Sequence, residues 1–537
     1  MSQSSQSKLR TGEPFSDVAA AKASATGPAT KILPLEVLEK ACAQLRGDDF
    51  KLVLCHGVFD LLHVGHIRHF AAAKKFGDIL VVTLTADQYV NKGPDRPAFP
   101  AELRAEFLAS VADIDYVAIV DEASAAPAIR AVKPHFYVKG GEYADAEADI
   151  TGKISVERDM VEQAGGELVF TEDITFSSSN LLNRHFSGRD KAMQTFLDEQ
   201  RAGGLESRLT AYLEKAADMK VLIVGETIID HYTYVAPMGK AAKENIIATL
   251  YRDEEVFAGG VVAAANHLSA VCPNVELITM LGDPKLGDNY ESLIRESLRP
   301  SINLTVIEKP DSPTVRKQRF VEPTYVRKLF EVYRMEDRPL TPKVEAHFHE
   351  QLAQKVREAD LVILNDFGHG FIGPSTVDLI SREAKFLAVN AQSNAGNIGY
   401  NLISKYAKAD FICIDAMEAW LAVRDKHANL SDVVANRLPA IVECDNIVVT
   451  HGRTGCYVSD GSGGASHIPA FNTSVVDTVG AGDAFFVVAA PMLAAGADCQ
   501  TAGFMGNVAG AISICIVGHR RYLDKLEIQR YITTLLK

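Results

Sequence analysis

The chain predicts an α/β protein of two domains joined by a short helical stretch. Three observations predict it. From residue 31 to 186, apolar β-branched runs alternate with amphipathic segments, the pattern of a parallel, doubly wound sheet. The alternation resumes at Lys220 and continues toward the C-terminus. Between the two stretches, residues 187–218 are polar and carry apolar residues at helical spacing. The expected organisation is a disordered tail over 1–30, a first domain over 31–186, a helical linker over 187–218 and a second domain over 219–537. A length of 537 residues suffices for these parts.

Composition narrows the class. Hydrophobic residues make up 47% and charged residues 23%, which suits globular domains with real cores. A formal net charge of −14 argues against a nucleic-acid partner, because phosphate backbones need a basic face. Small anionic substrates need only local positive charge. The eight cysteines are scattered without a Cys-x-x-Cys pair, so buried free thiols in a reducing compartment are expected, and no zinc site. No apolar run is long enough to span a bilayer, and the Ser/Ala/Thr-rich first thirty residues lack a signal-peptide core. A cytoplasmic protein is the expectation.

In the first domain a helix is predicted over Leu35–Leu45, then strands at Lys51–Cys55, Ile79–Leu84 and Tyr116–Val120, with a helix over Pro100–Val111 between the last two. The first strand runs into His56-Gly57-Val58-Phe59-Asp60-Leu61-Leu62-His63-Val64-Gly65-His66, and the following helix carries Ile67, Phe70 and Ala71 at helical spacing. His63 and His66, three apart at a helix start, share a face. Gly65 between them admits close approach of a ligand. Two imidazoles there can grip a nucleoside triphosphate at its α-phosphorus. Gly-x-Phe-Asp-x-x-His-x-Gly-His after an apolar strand resembles the nucleotidyltransferases of the cytidylyltransferase superfamily. The resemblance implies a Rossmann-like domain in which Gly57, Phe59, His63 and His66 serve the nucleotide. It extends to Lys92 in Asn91-Lys92-Gly93, a point charge for triphosphate oxygens, to Arg104 in a Glu-x-Arg helix start, and to Ser177, Ser178 and Ser179 at a phosphate-binding helix start. The string Val138-Lys139-Gly140-Gly141-Glu142-Tyr143 looks like the adenylyltransferase that makes ADP-heptose, which puts Lys139 and Gly140 at the nucleotide. The choice of ATP over CTP rests on that resemblance.

The linker reads as helices over Lys191–Glu199 and Glu206–Ala217, open to packing on either domain or to a dimer contact.

The second domain is organised around Ser474-Val475-Val476-Asp477-Thr478-Val479-Gly480-Ala481-Gly482-Asp483-Ala484-Phe485-Phe486. Three small residues at a helix start leave amide N–H groups unshielded, which makes an anion hole. Asp483 follows directly. A carboxylate beside a phosphate-sized pocket suits phosphoryl transfer to an alcohol, with Asp483 taking the hydroxyl proton. The longer string resembles the signature of the ribokinase-like (PfkB) carbohydrate kinases. That resemblance implies Asp483 as catalytic base, Gly480, Ala481 and Gly482 as anion hole, and Asp230 after the first strand as a ligand for sugar hydroxyls. It further implies Gly259 and Gly260 at the sugar, Thr450, Gly452 and Gly455 as a nucleotide-side loop, Asn507 near the base, and Glu418 organising magnesium through water.

Several positions depart from the family pattern. Ala263 stands where a substrate-binding asparagine is usual, with Asn266 one turn later. His369 replaces a lysine in Asn365-Asp366-Phe367-Gly368-His369-Gly370, and Val389-Asn390-Ala391-Gln392 replaces Asp-Pro-Lys. The catalytic end thus reads as intact and the sugar end as altered. Lys317, Arg319 or Arg334 could hold a substrate phosphate.

Together the halves resemble bifunctional heptose-phosphate kinase/adenylyltransferases in reversed domain order. The expectation is an ATP- and Mg²⁺-dependent sugar-phosphate kinase joined to an adenylyl- or cytidylyltransferase, acting on small molecules as a homodimer. A regulatory sugar-binding second domain is the alternative.

Overall fold

The computed structural model describes residues 30–90, 97–140, 153–171, 191–286, 289–472 and 475–536. The chain falls into two compact units that divide after residue 188.

In the first unit, β1 (Leu52–Gly57), β2 (Ile79–Thr85), β3 (Tyr116–Val120), β4 (Phe136–Gly140) and β5 (Glu167–Thr171) form a sheet in the order β3-β2-β1-β4-β5. Every neighbouring pair is parallel. Parallel strands need crossovers, and α1 (Leu35–Gly47), α2 (Val64–Lys74), α3 (Ala101–Ala109), α4 (Ala126–Val132) and α5 (Lys153–Gln163) cover the sheet. The strand period of two sorts the core. Leu52, Leu54, Ile79 and Val81 join α1 and α4 in one cluster, while Val53, Cys55, Leu80 and Val82 join α2 and α3 in another. The chain runs outward from β1 through β2 to β3, then returns to β4 on the other side of β1. That reversal opens a crevice at the C-terminal ends of β1 and β4, where doubly wound sheets bind ligands.

In the second unit, β6 (Val221–Lys240) is the shared strand. Its first half lies parallel between β8 (Val275–Gly282) and β12 (Leu361–Asp366). From there the main sheet continues through β13 (Leu387–Ala391), β14 (Phe411–Asp415), β15 (Asn446–Thr450), β16 (Cys456–Asp460) and β17 (Ser466–Ile468), with β9 (Ile302–Lys309) beyond β8. Its second half pairs with β7 (Ile247–Gly260) and β10 (Arg316–Glu322), and β10 pairs with β11 (Arg327–Arg334), giving a smaller four-stranded sheet.

Helices cover both faces of the main sheet. On one face lie α6 (Lys191–Ala202), α7 (Leu205–Ala217), α8 (Val261–Leu268), and, later in the chain, three helices that close the same core. On the other lie α9 (Pro342–Glu358), α10 (Pro374–Glu383) and α11 (Ala416–Val423). The three closing helices are α12 (Ala481–Ala494), α13 (Cys499–Ser513) and α14 (Lys525–Leu536). The helices of the expected linker, α6 and α7, bury Met193, Phe196, Leu197, Leu205, Leu209 and Leu213 in the core formed with α12, α13 and α14. Their apolar faces are therefore satisfied inside the second unit.

Cys515 is exposed, contrary to the expectation that the thiols are buried. Among the described residues no helix is long and apolar enough to cross a membrane.

Candidate active sites

The candidate site of the first unit gathers at the end of β1. Phe59 adopts a positive φ of 50°, a strained conformation for a side-chain-bearing residue, and Gly57 leaves room for its ring. A Cβ at position 57 would stand 3.1 Å from that ring. His63 caps α2, its Nδ1 accepting from the Gly65 amide at 3.1 Å. The His63 and His66 rings stack with centroids 4.0 Å apart, and Phe59 meets the His66 ring edge-on. Lys139 and Gly140 end β4, across the crevice from β1. Lys139 Nζ stands 3.1 Å from Glu157 Oε2. Lys92, Ser177, Ser178 and Ser179 lie outside the described residues.

Arg104 corrects the sequence reading. It is fully buried, and its guanidinium is spent on the protein itself. Nε donates to Phe99 O at 2.9 Å, Nη1 to Val58 O at 2.5 Å, and Nη2 to Thr85 O at 2.9 Å and to Asp87 Oδ1 at 2.6 Å. It fastens the loops after β1 and β2 rather than meeting a nucleotide.

In the second unit a cavity of about 470 Å³ is lined by Thr450, Gly452, Gly455, Gly480, Ala481, Gly482, Asp483, Asn507 and Glu418. Residues from four separate stretches of sequence thus meet around one space. Gly480 sits at φ 76° before α12, and a Cβ at Gly482 would meet nothing, so the first turn of α12 is open to a ligand. Asp483 follows in that turn. Its Oδ1 accepts from Asn365 Nδ2 at 3.1 Å and from Gln392 Nε2 at 2.6 Å. Burial pushes its carboxyl up from 3.8 to about 6, against the pull of the Gln392 amide.

Glu418 closes a capping box on α11. Oε2 accepts from the Asp415 amide and Oε1 from the Ser393 amide, both at 2.8 Å. Burial raises its carboxyl to about 7 even so. Among the described residues no group of three or more His, Cys, Asp or Glu side chains converges as a metal cage. The donor set fits a magnesium ion held through water and nucleotide phosphates, the mode that ion favours.

Asp230 lies on β6, in register beside Lys317 of β10. It is buried, and that burial opposes ionisation, yet Arg319 and His519 outweigh it and hold the carboxyl well below the usual range. Arg319 Nη1 bonds Asp230 Oδ1, and Arg319 Nε stands 3.2 Å from Glu331 Oε2. Lys317 is buried with its ammonium 5.4 Å from the Tyr333 ring centroid, and burial lowers its pKa. Gly259 is required here, because a Cβ would stand 2.0 Å from Asp230 Oδ2. Gly260 turns the chain into α8 at φ 59°.

Asn266 is a second correction. It is fully buried in α8, with Nδ2 donating to Ser297 O at 3.1 Å and Oδ1 accepting from the Arg299 amide at 2.9 Å. It secures a connection within the core, with both ends of its carboxamide engaged by the Ser297–Arg299 segment. Arg334 donates to Leu286 O at 3.1 Å.

The sequence profile of the pfkB family carbohydrate kinases matches residues 218–525, more than half of the chain. The chain belongs to the pfkB family. The cytidylyltransferase-like profile matches residues 54–184. Among similar proteins, the bifunctional protein HldE of Trichlorobacter lovleyi is 34% identical over 177 residues, 32% of this chain and 33% of that one. The bifunctional protein HldE of Bradyrhizobium diazoefficiens is 24% identical over 306 residues, 56% and 60% of the two chains. The chain therefore spans about a third to three fifths of the length of these curated relatives. A solved Escherichia coli phosphofructokinase-2 in complex with potassium covers 59% of this chain and 100% of its own at 14% identity and a TM-score of 0.48.

Three features of this pfkB unit escape the sequence reading. His519, in a polar turn before α14, stands 3.3 Å from Asp230 Oδ2 and touches Gly480, where a Cβ would meet its ring at 2.7 Å. A histidine closing the apolar run before Arg520 was the available signal. Asp477 is fully buried and accepts from Tyr232 Oη at 2.7 Å, Lys328 Nζ at 2.6 Å and the Gly518 amide at 2.9 Å. It ties the smaller sheet to the loop before α12. Finally, Asn390 and Gln392 line the Asp483 cavity, and Asn365 bonds Asp483, so these departures belong to the catalytic end rather than the sugar end.

Proposed function

We propose that the protein is a bifunctional enzyme of sugar-nucleotide synthesis. Its second unit transfers the γ-phosphoryl of ATP to a hydroxyl of a heptose-7-phosphate-like sugar phosphate. Its first unit joins a sugar-1-phosphate to a nucleotide, giving ADP-sugar and pyrophosphate. The observation that carries the kinase reading is Asp483 at the open first turn of α12, beside the cavity and within electrostatic reach of Lys317 and Asp230.

The geometry supports the following roles. With its carboxyl near 6, Asp483 is mostly ionised at neutral pH and close enough to it to take a hydroxyl proton. Oδ1 already accepts two amide hydrogens, and among the described residues Oδ2 has no such donor, which suits it to the substrate. The amides of Gly480–Gly482, at the positive end of α12, hold charge that develops on the transferred group. Asp230 receives sugar hydroxyls, while Lys317 and Arg319 supply the positive charge that a phosphorylated sugar needs. A magnesium ion bound with the nucleotide would neutralise phosphate charge, with Glu418 ordering its water. In the first unit, His63 and His66 neutralise the α-phosphate during in-line attack, and Lys139 with Gly140 borders the nucleotide.

The transferase reading is tested by pyrophosphate release with ATP or CTP and a panel of sugar-1-phosphates. ATP with heptose-1-phosphate is expected to turn over, and His66→Ala to lose roughly 10²–10⁴-fold. Turnover only with CTP and another phosphate would replace the ADP-heptose assignment by a cytidylyltransferase.

A homodimer fits the smaller sheet, which exposes Met238, Ile247, Leu250, Phe330 and Val332. Sedimentation velocity is expected to show a dimer that Ile247→Glu dissociates; a monomeric parent protein at micromolar concentration would remove the proposal.

A further inference from the structure

Asn365, Asn390 and Gln392 come from the ends of two neighbouring strands, β12 and β13, and from the residue just beyond β13. Their bonds form one directed chain. Asn390 Nδ2 donates to Cys413 O at 2.7 Å. A carbonyl can only accept, so this bond fixes the amide of Asn390 with Oδ1 turned toward Gln392. Gln392 Nε2 gives one hydrogen to that Oδ1 at 2.7 Å and the other to Asp483 Oδ1 at 2.6 Å. Asn365 Nδ2 adds a second donor to the same oxygen at 3.1 Å.

The backbone holds this chain in place. The Gln392 amide donates to Asp366 O at 2.8 Å, and Asn401 Nδ2 donates to Gln392 O at 3.1 Å. The next residue, Ser393, gives its amide to Glu418. The carboxamide of Gln392 therefore cannot turn without breaking a bond on each side. A glutamine alone could offer Asp483 either its oxygen or its nitrogen; the Cys413 carbonyl, two residues away along the chain of bonds, makes it the nitrogen.

We propose that Asn390, Gln392 and Asn365 are positioning residues that hold the Asp483 carboxylate by Oδ1, favour its ionised form and leave Oδ2 for the proton. The proposal rests on Asp483 as the base of the kinase reaction. Its particular content is that Asn390 acts on Asp483 without touching it. Charge-bearing groups around Asp483 that also bias it are His519, Lys317, Asp230 and Glu418. All four are unchanged in the variants below.

The test is an infrared titration of the Asp483 carboxyl in the full-length protein without ligands, with Asp483→Asn as the subtraction reference. The parent protein should titrate near 6. Gln392→Met keeps the length of the side chain and removes its donor. It should move the midpoint up by about one pH unit, as expected for a lost hydrogen bond to the charged form. Asn390→Leu should move it in the same direction, because Gln392 is then free to turn its oxygen toward Asp483. Asn365→Ser shortens the second donor and provides a third variant should either of the others fail to fold. The acid limb of kcat/KM for sugar-phosphate phosphorylation should move with the infrared midpoint, while KM for the sugar stays within about twofold. Midpoints unchanged in the folded variants would overturn the proposal. A shifted midpoint in a protein that transfers no phosphoryl group would leave the positioning intact and remove the kinase reading instead.

Discussion

Asp483→Asn is expected to abolish ATP-dependent sugar phosphorylation, by roughly 10²–10⁴-fold for the loss of a general base, and to make the protein more stable at pH 8. Both effects have one origin. The carboxyl is raised from 3.8 to about 6 because it is buried. A group whose folded pKa lies above its unfolded one contributes its stability at low pH and loses it as pH rises through the folded value. The penalty therefore appears between about pH 4 and 6 and is complete above it. A shift of that size corresponds to about 3 kcal/mol, which asparagine avoids while still accepting from Asn365 and Gln392. In a thermal melt the variant should gain several degrees at pH 8 and little at pH 4. Pyrophosphate release by the first unit should be unchanged. A variant that keeps phosphorylating its sugar would remove Asp483 from the mechanism.

Asp230→Ala is expected to have the opposite effect on stability. Asp230 is the anion among Arg319, Lys317 and His519, and all four are mostly buried. Removing it takes away the buried partner of Arg319 and leaves that guanidinium only the more exposed Glu331, a loss of up to about 3–5 kcal/mol. The pH dependence also reverses. The folded Asp230 carboxyl is held below its usual value, so its contribution is present above about pH 4 and lost as pH falls below that. Chemical denaturation at pH 7 should show the full loss and at pH 3 a smaller one. Equal losses at both pH values would mean that the ion pair is not what Asp230 contributes. In the kinase assay KM for the sugar should rise steeply, since the hydroxyl ligand is gone.

The parts of the fold that were legible are those that local pattern controls. Alternating apolar strands and helical stretches give the parallel sheet of the first unit, because a strand buried on both faces must be mostly apolar, as β2 is, with Thr83 and Thr85 its two polar residues. The string around Asp483 was legible because an anion hole demands small residues in an unbroken row. The cavity around it joins residues from 390 to 514, and the stretches around Glu418, Thr450 and Asp483 each carry a short motif.

What was not legible depends on partners far away in sequence. Arg104 looks like a phosphate ligand until Val58, Phe99 and Thr85 take its donors. Asn266 sits one helical turn from a sugar-binding position, but its carboxamide is consumed by Ser297 and Arg299. Asn390 and Gln392 read as changes at the sugar end because the string was compared with a family pattern position by position. The end of β13 in fact delivers them to Asp483, and only the strand order shows that.

The central claim is that the second unit phosphorylates a sugar that already carries a phosphate, with Lys317 and Arg319 holding that group beside Asp230. It is tested most directly by following transfer of the γ-phosphoryl of ATP to paired acceptors, heptose-7-phosphate against the free heptose and other sugar phosphates against their free sugars. The account predicts that the phosphorylated member of a pair is used and that Lys317→Met abolishes the preference. Preferred use of free sugars, with Lys317→Met behaving as the parent protein, would contradict it.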